Sequence, residues 1–258
     1  TLLRALPADG LAVLAADEPW LDLFRSAAPC RVVTVALDAP ADYRGIVDSG
    51  DPRRMRVAGP EGFEVQCRLP VRGLPMLRNA LRAVAAGREA GVPAAAIAAA
   101  IDAFEPPPMR GGERVVAGVT WVNDAYNASP VSLQAALETF AGHPAGRKWV
   151  VLGGMRELGE LGAGLHREAG RRAAAGPWTG IVVAGALAAP IADGAVAAGW
   201  PADRLWRCDG PAEAAALLAG RLQPGDAVLL KGSRGERMED VLSEWARLAG
   251  APAEEPAH

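Results

Sequence analysis

Trp121-Val122-Asn123-Asp124-Ala125-Tyr126-Asn127-Ala128-Ser129-Pro130 is the stretch whose reading decides the fold. An apolar strand runs through Val119 and Val122 and stops at a cluster of donors and acceptors: Asn123, Asp124, Tyr126 and Asn127. Ser129 is placed to cap a new helix. Pro130 suits its first turn, where the amide it lacks has no helical partner. Leu133, Leu137 and Phe140 then recur at four- and three-residue spacing, so that helix has one face to bury. Polar side chains at the carboxyl end of a strand, just ahead of a helix, are where open α/β sheets bind ligands.

Outward from this stretch the pattern is regular. A hairpin over 114–123 turns at Ala117-Gly118. Strands at 148–152, 180–184, 205–208 and 226–230 alternate with helices near 130–141, 163–175, 187–199, 211–221 and 236–249. Strands spaced by helices predict a mostly parallel sheet with right-handed crossovers. Upstream, Glu105-Pro106-Pro107-Pro108-Met109-Arg110-Gly111-Gly112 marks a boundary, because three prolines cannot continue a helix and favour a stiff linker. The amino-terminal part reads as buried strands at 11–15 and 31–36, with a short helix at 18–26 whose first turn holds Pro19. An antiparallel pair follows, in which Met55, Val57, Phe63, Val65, Cys67 and Leu69 alternate with polar residues about a turn at 59–62. Two helices come next, marked by Leu77, Leu81 and Val84 and by Ile97, Ile101 and Phe104. The expected layout is one unit over 1–106, a second over 107–250, and a disordered tail over 251–258.

Composition narrows the function. The net charge is −3 and no basic run is present, which speaks against nucleic acid as a partner. No apolar run approaches the roughly 20 residues of a membrane span. Three widely separated cysteines, Cys30, Cys67 and Cys208, form neither a metal knuckle nor a disulfide framework and fit a reducing, cytoplasmic setting.

Other strand ends carry chemistry. Leu152-Gly153-Gly154-Met155-Arg156-Glu157-Leu158-Gly159 follows a strand, with His166 in the next helix; glycines there let a ligand approach the backbone. Taken alone, a plain strand-to-helix turn is the favoured reading of this stretch. Leu230-Lys231-Gly232-Ser233-Arg234-Gly235-Glu236 has capping-box spacing between Ser233 and Glu236, which predicts a helix start flanked by Lys231 and Arg234 and thus an anion site. Arg110 in the linker is a candidate clamp, or simply a solvated charge. The sequence contains no Gly-x-x-x-x-Gly-Lys-[Ser/Thr] loop, no Gly-x-Gly-x-x-Gly after a strand, no Gly-x-Ser-x-Gly elbow and no metal-ligand spacing of histidines. From the residues alone, the reading is an α/β unit binding an anionic ligand.

Taken together, these stretches resemble the Mur ligases, in particular their D-alanyl-D-alanine-adding branch. Asn123 to Pro130 is close to that branch's Asp-Asp-Ser-Tyr-Asn-Ala-Asn-Pro pattern. Leu6 to Leu14 with Asp17-Glu18-Pro19, Pro108-Met109-Arg110, Leu152 to Gly159 with His166, and Leu230 to Arg234 follow in the family's order. The resemblance implies an incomplete central ATPase-like α/β domain with an antiparallel flank, followed by a Rossmann-like C-terminal domain. It implies an ATP- and Mg²⁺-dependent amide ligase in peptidoglycan precursor synthesis. Its substrates would be UDP-MurNAc-tripeptide and D-Ala-D-Ala, joined through an acyl phosphate. By resemblance Arg110 and Asp124 hold the nucleotide, Asn127 supports their loop, and Lys231, Ser233 and Arg234 lie near the peptide and amino-acid substrate. Tyr126 and His166 support the site.

The chain departs from the family pattern in places. Gly73-Leu74-Pro75-Met76 replaces Gly-x-His-Asn, Gly153-Gly154-Met155 replaces Gly-Asp-Met, and Ala15 replaces an Asn. The family's phosphate loop, metal-coordinating glutamate and carbamylated lysine fall before Thr1. The expectation is therefore a piece of a longer, monomeric protein, with no catalytic residue of its own, no metal ligand and no turnover by itself. Two alternatives stand beside it: a degenerate, non-catalytic relative that binds nucleotide and peptide, and a sister Mur ligase adding a different amino acid.

Overall fold

The computed structural model describes residues 2–251, and its contacts divide the chain between Glu105 and Pro106 into two compact units. The tail expected over 252–258 lies outside the described residues.

In the first unit, β1 (Leu11–Ala15), β2 (Arg31–Ala36), β3 (Tyr43–Val47), β4 (Arg54–Ala58) and β5 (Glu64–Arg68) form one sheet in chain order. The first three strands pair in parallel and the last three antiparallel. The helices are α1 (Leu21–Ala27), α2 (Leu74–Glu89) and α3 (Ala94–Asp102). Leu77, Leu81 and Val84 of α2 and Ile97 of α3 bury against Val33, Met55, Val57, Val65 and Cys67 of the sheet.

Three features differ from the sequence reading. Strand β3 was not anticipated because its alternation is inverted: Ile46 points outward, 43% exposed, while Gly45 points inward. A Cβ on Gly45 would stand 2.7 Å from side-chain atoms of Leu37 and Met55. Helix α1 starts at Leu21, so Pro19 precedes it instead of occupying its first turn. Helix α3 stops at Asp102 and Phe104 is 43% exposed, because Glu105 precedes a proline and that position disfavours helical backbone.

In the second unit the strands are β6 (Gly112–Val116), β7 (Val119–Asp124), β8 (Lys148–Leu152), β9 (Gly180–Ala184), β10 (Leu205–Cys208) and β11 (Ala227–Lys231). They lie in the order β10-β9-β8-β11-β7-β6. All pairs are parallel except the β6–β7 hairpin. The helices are α4 (Pro130–Ala141), α5 (Gly162–Ala174), α6 (Ala189–Ala197), α7 (Pro211–Ala219) and α8 (Glu239–Leu248).

Both faces of this sheet are covered, so its strands are apolar on both sides. Val150, Leu152, Ile181, Val183 and Leu229 pack with α4, α5 and α6. Trp149, Val151, Val182, Val228 and Leu230 pack with α7 and α8. Helices α5 and α6 touch backbone to backbone: a Cβ on Gly170 would stand 1.8 Å from Ile191 O, and one on Gly194 1.9 Å from Arg167 O.

The strand order reverses between β8 and β11. From β8 the chain steps outward to β9 and β10, then returns to β11 on the other side, and such a switch point opens a crevice at the carboxyl ends of the strands. Among the described residues no helix is long and apolar enough to cross a membrane.

Candidate functional site

The carboxyl ends of β7, β8 and β11 bring the polar stretches of the second unit together. Ser129 caps α4 as its sequence position indicates: its hydroxyl accepts from Ser132 N at 3.2 Å, and Ser132 Oγ accepts from Ser129 N at 2.9 Å. Leu133, Leu137 and Phe140 are buried. That cap fixes the loop from Ala125 to Ala128 over the strand ends.

Beneath the loop lies Lys231, which ends β11 in register with Asp124 at the end of β7. Its side chain is 3% exposed against 26% for Asp124, and Nζ stands 2.7 Å from Asp124 Oδ2. Nζ also donates to Asn127 O at 2.8 Å. Lys231 thus ties the strand end to the loop from the buried side and leaves part of the Asp124 carboxylate accessible. Burial pushes the Asp124 carboxyl above the ordinary aspartate range, while Lys231 and then Arg110 pull it back down.

The mouth of the site is made by the linker. Met109 has a left-handed backbone, φ 61°, and its carbonyl accepts from Tyr126 N at 3.1 Å. Gly111 N donates to Asn123 O at 2.8 Å. Arg110 is thereby set with its guanidinium 4.0 Å from the centre of the Tyr126 ring, a cation–π contact on a half-exposed ring. Arg234 is exposed and pairs with Glu239. Asn127 is exposed too, and its side-chain oxygen accepts from Ala128 N at 2.8 Å.

The Ser233–Glu236 capping box does not form. Ser233 is 3% exposed, and its hydroxyl accepts from Arg156 N at 2.9 Å and faces Ala128 O at 3.4 Å. A 3-10 turn, Arg234–Glu236, follows it, and α8 begins only at Glu239. The physical reason is competition: the β8 loop offers Ser233 a buried amide that a side-chain cap would leave unpaired.

His166 is 1% exposed and both ring nitrogens are engaged. Nε2 accepts from Met155 N at 2.8 Å and Nδ1 faces Gly162 O at 2.6 Å, which makes Nδ1 the protonated nitrogen of a neutral ring. It braces the β8 loop and touches solvent hardly at all.

Beside these groups opens a cleft of about 650 Å³ lined by Met155, Arg156, Leu158, Ala186, Leu187 and Pro190 among others. Arg156 was not singled out from the sequence, although it lies two residues after the glycines of a strand end. Its Nε donates to Glu236 Oε1 at 2.9 Å and its Nη2 contacts Gly235 O at 3.3 Å. Gly235 leaves room for it, since a Cβ there would stand 2.5 Å from Arg156 Cζ. Gly154 has a similar reason: its Cβ would meet Leu187 at 2.8 Å, so a larger residue at 154 requires Leu187 to move.

Comparison with known proteins follows the same residues. Residues 109–234 match the family model described as Mur ligase, glutamate ligase domain. The UDP-N-acetylmuramoyl-tripeptide–D-alanyl-D-alanine ligase of Mycobacterium bovis is 35% identical over 254 residues, which cover 89% of this chain and 49% of that protein. The enzyme of the same name from Bacillus subtilis is 29% identical over 249 residues, covering 94% and 52%. Among solved structures, the MurF ligase from Thermotoga maritima in complex with ADP has a TM-score of 0.81 at 23% identity, covering 96% of this chain and 56% of that one. The chain spans about half the length of the curated relatives it matches.

Proposed function

We propose that this chain belongs to the Mur ligase family, whose model residues 109–234 match, and that it supplies the corresponding half of an ATP-dependent ligase joining D-alanyl-D-alanine to UDP-N-acetylmuramoyl-tripeptide. The observation that carries this reading is the Asp124 carboxylate, held from its buried side by Lys231 and flanked at the mouth by the Arg110–Tyr126 stack. A carboxylate beside a cation stacked on an aromatic ring suits a nucleotide: the former accepts from ribose hydroxyls and the latter attracts phosphate.

When bound, ATP supplies the phosphoryl group that activates the peptide's terminal carboxylate for attack by the incoming amine, a reaction governed mainly by positioning and charge neutralisation. In this reading Asp124 and Arg110 orient the nucleotide, and Asn127 and Tyr126 shape their loop. Arg234 offers an accessible cation to an anionic group of the bound ligands, a nucleotide phosphate or the peptide carboxylate. Lys231 and Ser233, both buried and bonded within the protein, act at one remove by fixing the loops that carry the exposed groups. The cleft beside Arg156 suits a short peptide with small apolar side chains and a carboxylate. Mg²⁺ at nucleotide sites is held by one or two carboxylates together with phosphates and water, and among the described residues no three His, Cys, Asp or Glu side chains converge, so in this reading it would be held mainly by the nucleotide's phosphates. No step is therefore assigned to it. The same reading has the ligase working as a monomer in the cytoplasm, which three unpaired cysteines support.

The test is phosphate release from ATP, with the chain alone and with a polypeptide carrying a Gly-Thr-x-Gly-Lys-Thr loop ahead of it. The expected result is no turnover for the chain alone, and turnover in the longer polypeptide that needs both UDP-N-acetylmuramoyl-tripeptide and D-Ala-D-Ala. Turnover that ignores D-Ala-D-Ala would refute the substrate assignment. Binding of both ligands with no turnover in the longer polypeptide would favour the non-catalytic reading, which Pro75-Met76 motivates.

A further inference from the structure

Arg234 is the accessible cation of the β11 loop, and long exposed cations normally sample many rotamers. Its surroundings are unusual for such a residue. Nη1 is paired with Glu239 Oε1 and lies 3.4 Å from the sulfur of Met109. Glu239 is the first residue of α8, where free helix amides favour a carboxylate. Its side chain is only 20% exposed, and its Oε2 is fully buried without a hydrogen-bond partner among the described residues. A carboxylate oxygen in that condition calls for an explanation, because burial without a donor is costly.

Met109 approaches Arg234 through a backbone conformation that side chains other than glycine seldom adopt, held by the Tyr126 N–H on its carbonyl. Glu239 and Met109 therefore grip the same nitrogen of Arg234 from two sides. Its other N–H groups have no protein partner among the described residues.

We propose that Glu239 and Met109 are positioning residues that pre-set the Arg234 guanidinium, leaving its free N–H edge to an anionic group of the ligand. The proposal deepens the nucleotide and peptide reading of this site and rests on it for the ligand, though not for the ordering of Arg234. In this view the buried Oε2 keeps Glu239 committed to Arg234 by excluding water from the pair.

The test uses the whole chain with Glu239→Gln, Met109→Ala, Arg234→Ala and the double variant Glu239→Gln/Arg234→Ala. The first readout is fast motion of the Arg234 Nε–H bond by ¹⁵N relaxation. It should be as ordered as the backbone in the wild type, and in Glu239→Gln and Met109→Ala as mobile as that of Arg167, an exposed arginine on α5. The second readout is the Kd for ADP by calorimetry. Glu239→Gln and Arg234→Ala should each weaken it by about three- to tenfold, and the double variant should be no weaker than Arg234→Ala alone. Unchanged order of Arg234 in both single variants, or additive losses in the double, would overturn the proposal. If the wild type binds no ADP, the ligand reading fails, and the relaxation arm still decides whether Glu239 and Met109 hold Arg234.

Discussion

Lys231 Nζ stands 2.7 Å from Asp124 Oδ2, and the two residues are in-register partners at the ends of adjacent parallel strands. The pair is asymmetric, with the lysine side chain almost wholly buried and the carboxylate about a quarter exposed. Each is also bound differently, since Lys231 has one further acceptor, Asn127 O.

The asymmetry predicts unequal costs on breaking the pair. Asp124→Ala leaves a buried ammonium with a single carbonyl and should cost about 3–5 kcal/mol. Lys231→Met leaves a carboxylate that reaches water and should cost about 1–3 kcal/mol. The double variant should be less destabilised than the sum of the two. Urea unfolding at neutral pH measures all three. A larger cost for Lys231→Met than for Asp124→Ala would contradict this reading of the pair.

A pH dependence follows from the same carboxyl. Folding raises the pKa of Asp124, so the folded state holds its proton to higher pH than the unfolded chain does. Its contribution to stability is full below the unfolded value and is lost as pH rises through the folded one. Asp42, held down chiefly by the Thr34 hydroxyl, runs the other way: its contribution is present above its unfolded value and is lost as pH falls through the folded one. The stability difference between the wild type and Asp124→Asn isolates the Asp124 part. It should decline on going from acid toward neutral pH and then level off. A difference that grows with pH would show that Lys231 outweighs burial.

His166 yields a prediction that separates bracing from binding. His166→Ala unpairs Met155 N and faces Gly162 O with nothing, and should cost about 2–5 kcal/mol for two buried polar groups and lost packing. Under conditions where the variant remains folded, its affinity for ADP should match the wild type within about twofold, a difference of less than 1 kcal/mol. Calorimetry beside thermal melts checks both. Intact stability with lost affinity would make His166 a ligand residue.

Much of the second unit was legible in the sequence because its signals agree with one another. Ser129 and Pro130 mark a helix start, Leu133, Leu137 and Phe140 mark its buried face, and Ala117-Gly118 mark the hairpin turn, both in left-handed backbone. Signals failed where a partner distant in sequence outbid a local one. Ser233 and Glu236 have capping-box spacing, but Arg156, 77 residues earlier, takes the serine hydroxyl and then also takes Glu236. Strand β3 was hidden because Gly45 faces a core already filled by Leu37 and Met55 while Ile46 faces out. The polar residues of the site were visible by type. Which of them reach solvent was not, and Lys231 shows why: its burial is set by the loop over β11, a relationship between residues 127 and 231.

The most direct test of the account is calorimetric titration of this chain with ADP at fixed moderate salt, wild type against Arg110→Ala. Arg110 is exposed and stacked on Tyr126, so its removal should leave the fold unchanged. The account predicts saturable one-to-one binding by the wild type, weakened by about fivefold or more in Arg110→Ala through loss of a charge-assisted contact. No saturable heat from folded wild-type protein, or equal affinity in the two, would contradict a nucleotide site at the carboxyl ends of β7 and β11.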